Sequence, residues 1–383
     1  VYNGEKITAE EVIAISQLPF TGIVQTLPDT VPFTAPEQME RQSGQKTILR
    51  LGANESPFGM SPQAMQAMAA SLREAMWYGD PESYDLRKEL ERRFGFAMGR
   101  TVIDSGIDAL LGLLVRVFVE PGQSVVTSKG AYPTFLYHVA GYGGLQHLVP
   151  YLSYLNDLDK LAATAREVKA KMVYLANPDN PTGTYYTALE IAEFLRDLPA
   201  DCLFLLDEAY VEFAPGDIHL PPETDDARLV RLRTFSKVHG LAGCRIGYAV
   251  AHPDIVKAMN KTRNHFGVNR MAQAGALASL HDAGFVTRVV QETAKGRQEY
   301  YDLAAELGFH ALESATNFVA VDVGDAERAG ALVNDLWRSG IFVRSPGTEP
   351  LNRLVRITVG TPEQRQKLAT TLRGICRGNR KEG

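Results

Sequence analysis

From Ser61 onward, segments with helical periodicity alternate with short apolar runs, and this alternation admits few folds. SPQAMQAMAASLREAM, YDLRKELERRF and DALLGLLVRVFV read as helices, while SVVTS, KMVYLANP, CLFLLDEAY, LVRLRTFSK and RIGYAVA read as strands. The helix ALEIAEFLRDL falls between two of those strands. Such an order calls for a mostly parallel sheet covered by helices, an α/β architecture. In an open sheet of that kind, ligands bind beyond the carboxyl ends of the strands. Asn177 to Asn180, Asp207 and Lys237 all stand at such ends.

With 383 residues and 45% hydrophobic content the chain has material for two lobes, since single cores stop growing near ~250–300 residues. After VNRMAQAGALASLHD an amphipathic helix runs from about Phe285 to Leu307, and NFVAVDV, IFVRS and LVRITVG alternate with two more helices. The expected division is a large domain over 52–282, an N-terminal arm over 1–51 and a smaller α/β domain over 283–383. The arm contains Pro19, Pro28, Pro32 and Pro36 with little periodicity, which reads as irregular chain.

Forty-five acidic against 40 basic residues give a net charge of −5 with no long run of one sign, which argues against a nucleic-acid partner. Cys202, Cys244 and Cys376 are few and widely spaced, as reduced thiols rather than a disulfide frame or a metal knot. VYNGEKITAEEV lacks the pattern of a secretory leader, and no stretch approaches the ~18–20 apolar residues of a membrane span. A cytoplasmic enzyme without metal is the expectation.

TFSKVHGLAGCRIGYAV sets Lys237 between a strand and a glycine-rich turn. A lysine at the end of a buried strand loses hydration, and its amine becomes a candidate nucleophile for imine chemistry; a surface lysine in a loop is the ordinary alternative. If Lys237 holds an aldehyde cofactor such as pyridoxal phosphate, the ring nitrogen needs a buried carboxylate beside it. Asp207, after a fully apolar run, is placed for that, or equally for a salt bridge or helix cap. Ser105, Gly106, Ile107 and Asp108 lie at the start of an apolar helix and are candidates for a phosphate cradle. Thr234 and Ser236 flank the lysine and Arg245 follows the glycine turn, so hydroxyl and guanidinium groups can converge on the same anion. Phe135 in AYPTFLYHV offers a face for a ring to stack on, or ordinary core packing. Asn180, in the turn NPDNPTGT, and Tyr210, in DEAY, offer hydrogen bonds to a ring oxygen, although NPDNPTG is also plain turn chemistry.

The ordered set ANESPFG, WYGDP, NPDNPTG, DEAY, TFSKVHGLAGCRIGY and LVRITVG resembles the fold-type I pyridoxal-phosphate aminotransferases of class I/II, closest to the histidinol-phosphate aminotransferase branch. The resemblance runs from about Leu51 to the C-terminal helix. It implies covalent attachment of pyridoxal 5'-phosphate to Lys237, Asp207 at the pyridine nitrogen, Asn180 and Tyr210 at the ring oxygen, and Phe135 as the stacking aromatic. It further implies Thr234, Ser236 and Arg245 at the phosphate, with Tyr78 reaching the phosphate of a neighbouring subunit in a homodimer that shares its active sites. Arg356 matches the arginine that grips the substrate carboxylate, Arg344 a second arginine of that branch, and Asn54 a motif lining the substrate side.

The implied reaction moves an amino group between an amino acid, or an amino phosphate such as histidinol phosphate, and a 2-oxo acid. Two alternatives stand beside it: a decarboxylase of the same fold, which uses the same residues on a different bond, and a non-catalytic effector-binding protein. The chain departs from the family pattern at Tyr78-Gly79-Asp80, at Gly106-Ile107-Asp108, at His265 and in its long arm.

Overall fold

The structure is a computed structural model that describes residues 18–29, 34–222 and 224–379; VYNGEKITAEEV and Pro32 lie outside the described residues. After a short strand β1 (Leu49–Arg50), the chain builds a seven-stranded sheet. Its members are β2 (Thr101–Asp104), β3 (Ser124–Ser128), β4 (Leu145–Val149), β5 (Met172–Ala176), β6 (Leu203–Asp207), β7 (Leu229–Thr234) and β8 (Gly247–Val250). The spatial order is β2-β8-β7-β6-β5-β3-β4. Neighbours from β4 to β7 run parallel, and β8 is antiparallel to both β7 and β2. Order reverses beside β3, because β4 lies on one side of it and β5 on the other, so the connections diverge and open a crevice at the carboxyl ends.

Strands β5, β6 and β7 are buried along their whole length, as a sheet covered on both faces requires. In β7 the alternation is unusual. Val230 and Leu232 enter the core on one face, while Arg231 and Arg233 point to the other and meet Glu208. Arg231 donates to its two oxygens at 3.0 and 2.9 Å and Arg233 to one at 2.8 Å. Burial alone would raise Glu208; the charges of Arg233 and Arg231 override it and hold the carboxyl at about 2. Both guanidiniums also lie over the Phe96 ring.

The rest of the chain adds β9 (His310–Ala311), β10 (Phe318–Asp322), β11 (Ile341–Phe342) and β12 (Leu354–Thr358). Antiparallel β12-β10-β9 form one sheet, and β11 pairs in parallel with β1. Helices Ala283–Leu307, Ala326–Arg338 and Pro362–Asn379 accompany them. The long helix begins two residues before Phe285, because Asp282 caps it by accepting from the Phe285 N–H. Leu49 and Leu51 share a core cluster with Leu303, Val319, Val355 and Leu368, which ties the chain before the large sheet to the strands after it.

Candidate active site

The carboxyl ends of β3, β5, β6 and β7 converge on a cavity of about 780 Å³. Asp207 is the last residue of β6 and is buried. Its Oδ1 accepts from the Ala209 N–H at 3.0 Å and its Oδ2 from the Tyr174 hydroxyl at 2.8 Å. Burial pushes the carboxyl up to about 6, against the pull of Tyr174, Ala209 and the Lys237 charge. Lys237 follows β7, and its Nζ stands 5.4 Å from the centroid of the Tyr210 ring. Both residues line the cavity.

Tyr210 is buried and packs edge-on against Phe318. Its hydroxyl accepts from Asn54 Nδ2 at 2.9 Å, so the phenolic proton is available to an acceptor in the cavity. Asn54 takes a left-handed φ of 55°, which asparagine tolerates better than most residues. It is fixed there by Thr358, whose hydroxyl accepts from its N–H and donates to its Oδ1. Asn317 Nδ2 completes the clasp on the Asn54 carbonyl at 3.0 Å. Asn180 follows β5 and accepts through Oδ1 from Arg356 Nη1. Because a guanidinium only donates, this contact sets the amide so that its Nδ2 faces the other way.

At the other end of the cavity, helix Ile107–Phe118 starts without a side-chain cap. Such an end presents orphan N–H groups and the positive pole of the helix dipole. Gly106 precedes it with a φ of 86°, a left-handed backbone that favours glycine, and Arg245 Nη2 lies 2.7 Å from where a Cβ would stand. Ile107, Asp108, Thr234, Ser236 and Arg245 all line this end. The Thr234 hydroxyl donates to Ser236 Oγ at 2.9 Å.

Three of the expected cofactor residues, Phe135, Ser105 and Gly106, do not line the cavity. Phe135 is fully buried in the main core, stacked on Tyr174 with centroids 4.9 Å apart, and does not line the cavity. The reason is helix phase: helix Pro133–Gly141 starts at Pro133, so Phe135 already lies in its first turn facing the sheet. Tyr132, just before that start, is the aromatic of this segment that lines the cavity. Ser105 turns away and donates to the Gly267 carbonyl at 2.8 Å, and the Gly106 N–H is used by Asp104, so Ile107 and Asp108 are the two of these four residues that line the cavity. Tyr78 is 77% exposed and rests on Phe266 with centroids 4.7 Å apart, outside its own chain's cavity. His265, on the same segment as Phe266, is exposed.

Arg344 and Arg356 both line the cavity, and their backbones pair as an isolated antiparallel bridge. Arg356 lies over the Phe318 ring and donates from Nη2 to the Gly52 carbonyl at 3.0 Å; its Nε is buried with no partner. Burial depresses this guanidinium from its ordinary value, and the Arg344 charge adds to the effect. Arg344 donates to the Thr34 carbonyl at 2.9 Å.

The donor set fits pyridoxal phosphate: a lysine, a buried carboxylate, a ring face, ring-oxygen donors, and an uncapped helix end with two hydroxyls and a guanidinium. Residues 46–372 match the family model of aminotransferase class I and II. The chain belongs to this family. It is an enzyme, a pyridoxal-phosphate-dependent aminotransferase. This aminotransferase is 36% identical over 321 residues to histidinol-phosphate aminotransferase 1 of Cupriavidus pinatubonensis, covering 83% of this chain and 85% of the relative. It is 37% identical over 327 residues to histidinol-phosphate aminotransferase 2 of Ralstonia nicotianae, covering 83% and 86%. The crystal structure of histidinol-phosphate aminotransferase from Sinorhizobium meliloti in complex with pyridoxal-5'-phosphate superposes with a TM-score of 0.91 at 44% identity, over 94% of this chain and 98% of that one. Among the described residues no helix is long and apolar enough to cross a membrane.

Proposed function

We propose that this aminotransferase takes its amino group from a donor with an anionic end, histidinol phosphate as in the names of its relatives or an amino acid, and passes it to a 2-oxo acid. The observation that carries the reading is the pair Arg344 and Arg356. Like charges opposite each other across a strand pair are destabilising, and Arg356 makes no ion pair with a carboxylate among the described residues. An anionic substrate group between the two removes that repulsion and gives the buried Arg356 Nε a partner.

Pyridoxal phosphate bound in this cavity supplies the sink for the electron pair released at the donor carbon. In this reading Asp207 holds a proton at the ring nitrogen, Asn180 Nδ2 and the Tyr210 hydroxyl donate to the ring oxygen, and Tyr132 covers the ring face. Ile107 and Asp108 N–H groups, Thr234, Ser236 and Arg245 hold the phosphate. The Lys237 amine carries the cofactor and accepts the proton from the donor Cα. Asn54 orients Tyr210 on the substrate side.

The same reading makes the protein a cytoplasmic homodimer with shared active sites. Tyr78, with the exposed Met76 and Trp77 beside it, forms an apolar surface suited to a partner subunit, whose cavity its hydroxyl reaches. The large domain is then 52–282, with the arm over 1–51 and the small domain over 283–383.

A donor screen with the holoenzyme tests the substrate class. Histidinol phosphate is compared with histidinol, and dicarboxylic with monocarboxylic amino acids, at fixed 2-oxo acid. A charge-assisted contact corresponds to roughly ten- to a hundredfold in kcat/KM in favour of the donor that carries the anionic group. Equal rates for histidinol phosphate and histidinol, together with equal rates for the two amino-acid classes, would refute the anionic-end reading.

A further inference from the structure

The phosphate end of the cavity contains a carboxylate, which by charge alone is an unfavourable neighbour for a phosphate. Asp108 lies in the first turn of helix Ile107–Phe118, where the dipole favours an acid, but its two oxygens are engaged by different elements. Oδ1 accepts from the Tyr132 hydroxyl at 2.9 Å and Oδ2 from Arg245 Nη2 at 3.0 Å. Tyr132 comes from the loop before helix Pro133–Gly141. Arg245 comes from the turn after Ala242–Cys244, in left-handed backbone with a φ of 54°. The same Nη2 lies against Gly106. Nη1 also donates to the Ala242 carbonyl at 3.2 Å, so the guanidinium is fixed at both of its terminal nitrogens, while Nε–H and one further N–H on each Nη remain for a second anion.

We propose that Asp108 is a positioning residue that ties the aromatic face for the cofactor ring to the guanidinium for its phosphate, so that ring site and phosphate site form as one preorganised unit. Tyr132 and Arg245 are far apart in sequence, and both touch Asp108. Burial raises Tyr132, so its hydroxyl stays protonated and serves as the donor in this bond. Preorganisation lowers the ordering cost of binding, which offsets the repulsion a carboxylate brings. The two effects have opposite signs on cofactor affinity, and that makes the inference decidable.

The inference rests on the phosphate assignment above. Apoenzyme is titrated with pyridoxal 5'-phosphate, following intrinsic fluorescence and the induced circular dichroism of the bound cofactor. The samples are the native chain, Arg245→Ala, Asp108→Asn, Tyr132→Phe and the Asp108→Asn/Tyr132→Phe double variant. Arg245→Ala and Asp108→Asn are each expected to raise Kd by about tenfold or more, and Tyr132→Phe by a few fold. The double variant is expected to bind no more weakly than Asp108→Asn alone, because the Tyr132 hydroxyl acts through Asp108. Unchanged or tighter binding by Asp108→Asn while Arg245→Ala weakens it overturns the coupling and leaves the phosphate site standing, and fully additive losses do the same. No effect of Arg245→Ala overturns the phosphate assignment and the inference with it. If Asp108→Asn alters folding, Tyr132→Phe decides: native affinity and native circular dichroism in that variant overturn the proposal.

Discussion

Replacing Asp207 with asparagine should make the cofactor-free protein more stable above neutral pH while strongly impairing catalysis by the loaded one. The carboxyl is buried and held at about 6 against an ordinary 3.8. A folded-state value raised in this way means that the native chain keeps its proton more tightly than the unfolded chain. The group's contribution is therefore complete below about pH 4 and is lost as pH rises through about 6. A shift of roughly two units corresponds to about 3 kcal/mol. Asparagine does not ionise and escapes that loss, but its Nδ2 cannot accept from Tyr174 or Ala209 as the second carboxylate oxygen does, at a cost of about 1–2 kcal/mol. The expected balance is that Asp207→Asn is somewhat less stable than the native chain at pH 4.5 and about 1–2 kcal/mol more stable at pH 8. The assay is thermal unfolding of both apoproteins across that range, read as the difference between them so that all other titrating groups cancel. A difference that is flat from pH 4.5 to 8 would show that Asp207 does not titrate between the two states. In the holoenzyme, loss of the proton-holding carboxylate should lower kcat on the order of a hundredfold or more with cofactor still bound.

Tyr174→Phe deletes the 2.8 Å hydrogen bond to Asp207 and should move the midpoint of that stability difference upward by about one to two pH units; an unmoved midpoint would remove Tyr174 from control of the carboxylate. Lys237→Ala should abolish turnover with the fold retained, and borohydride reduction of the native holoenzyme followed by peptide mapping should find the cofactor on Lys237, so a label on another lysine would sink the assignment. Arg356→Lys should raise donor KM far more than cofactor Kd, since a point charge cannot reproduce the fork; equal changes in both would point to a role in folding instead. Mixing Lys237→Ala subunits with impaired Tyr78 variants should restore activity in heterodimers, where one site has both groups intact; heterodimers shown to form without any gain would place Tyr78 in its own subunit.

The alternation of strands and helices, and the polar residues that close the strands, depend only on local pattern. For that reason Asp207, Lys237, Asn180 and Tyr210 could be placed at one sheet edge from the chain alone, and their motifs carried the family. Strand β4 escaped because its LQHLV lies at a half-exposed sheet edge, where apolar alternation is weak. That Tyr132 and not Phe135 lines the cavity is a matter of phase: both are aromatic and three positions apart, and only the helix start at Pro133 decides which faces core and which faces cavity. Ser105 failed likewise, since a hydroxyl beside a helix start can turn inward to a carbonyl as readily as toward a ligand.

Other features have no local signature at all. Tyr174 read as one more apolar position of a buried strand until β5 and β6 paired and set its hydroxyl on Asp207. The Asn54–Thr358 clasp and the Arg344–Arg356 bridge join segments distant in the chain. Asp108 meets Tyr132 and Arg245 only after three loops have closed on one end of the sheet. A sequence determines such contacts through the whole fold, because hydrogen bonds of a few ångströms between remote segments are set by packing and not by the propensities of the residues that make them.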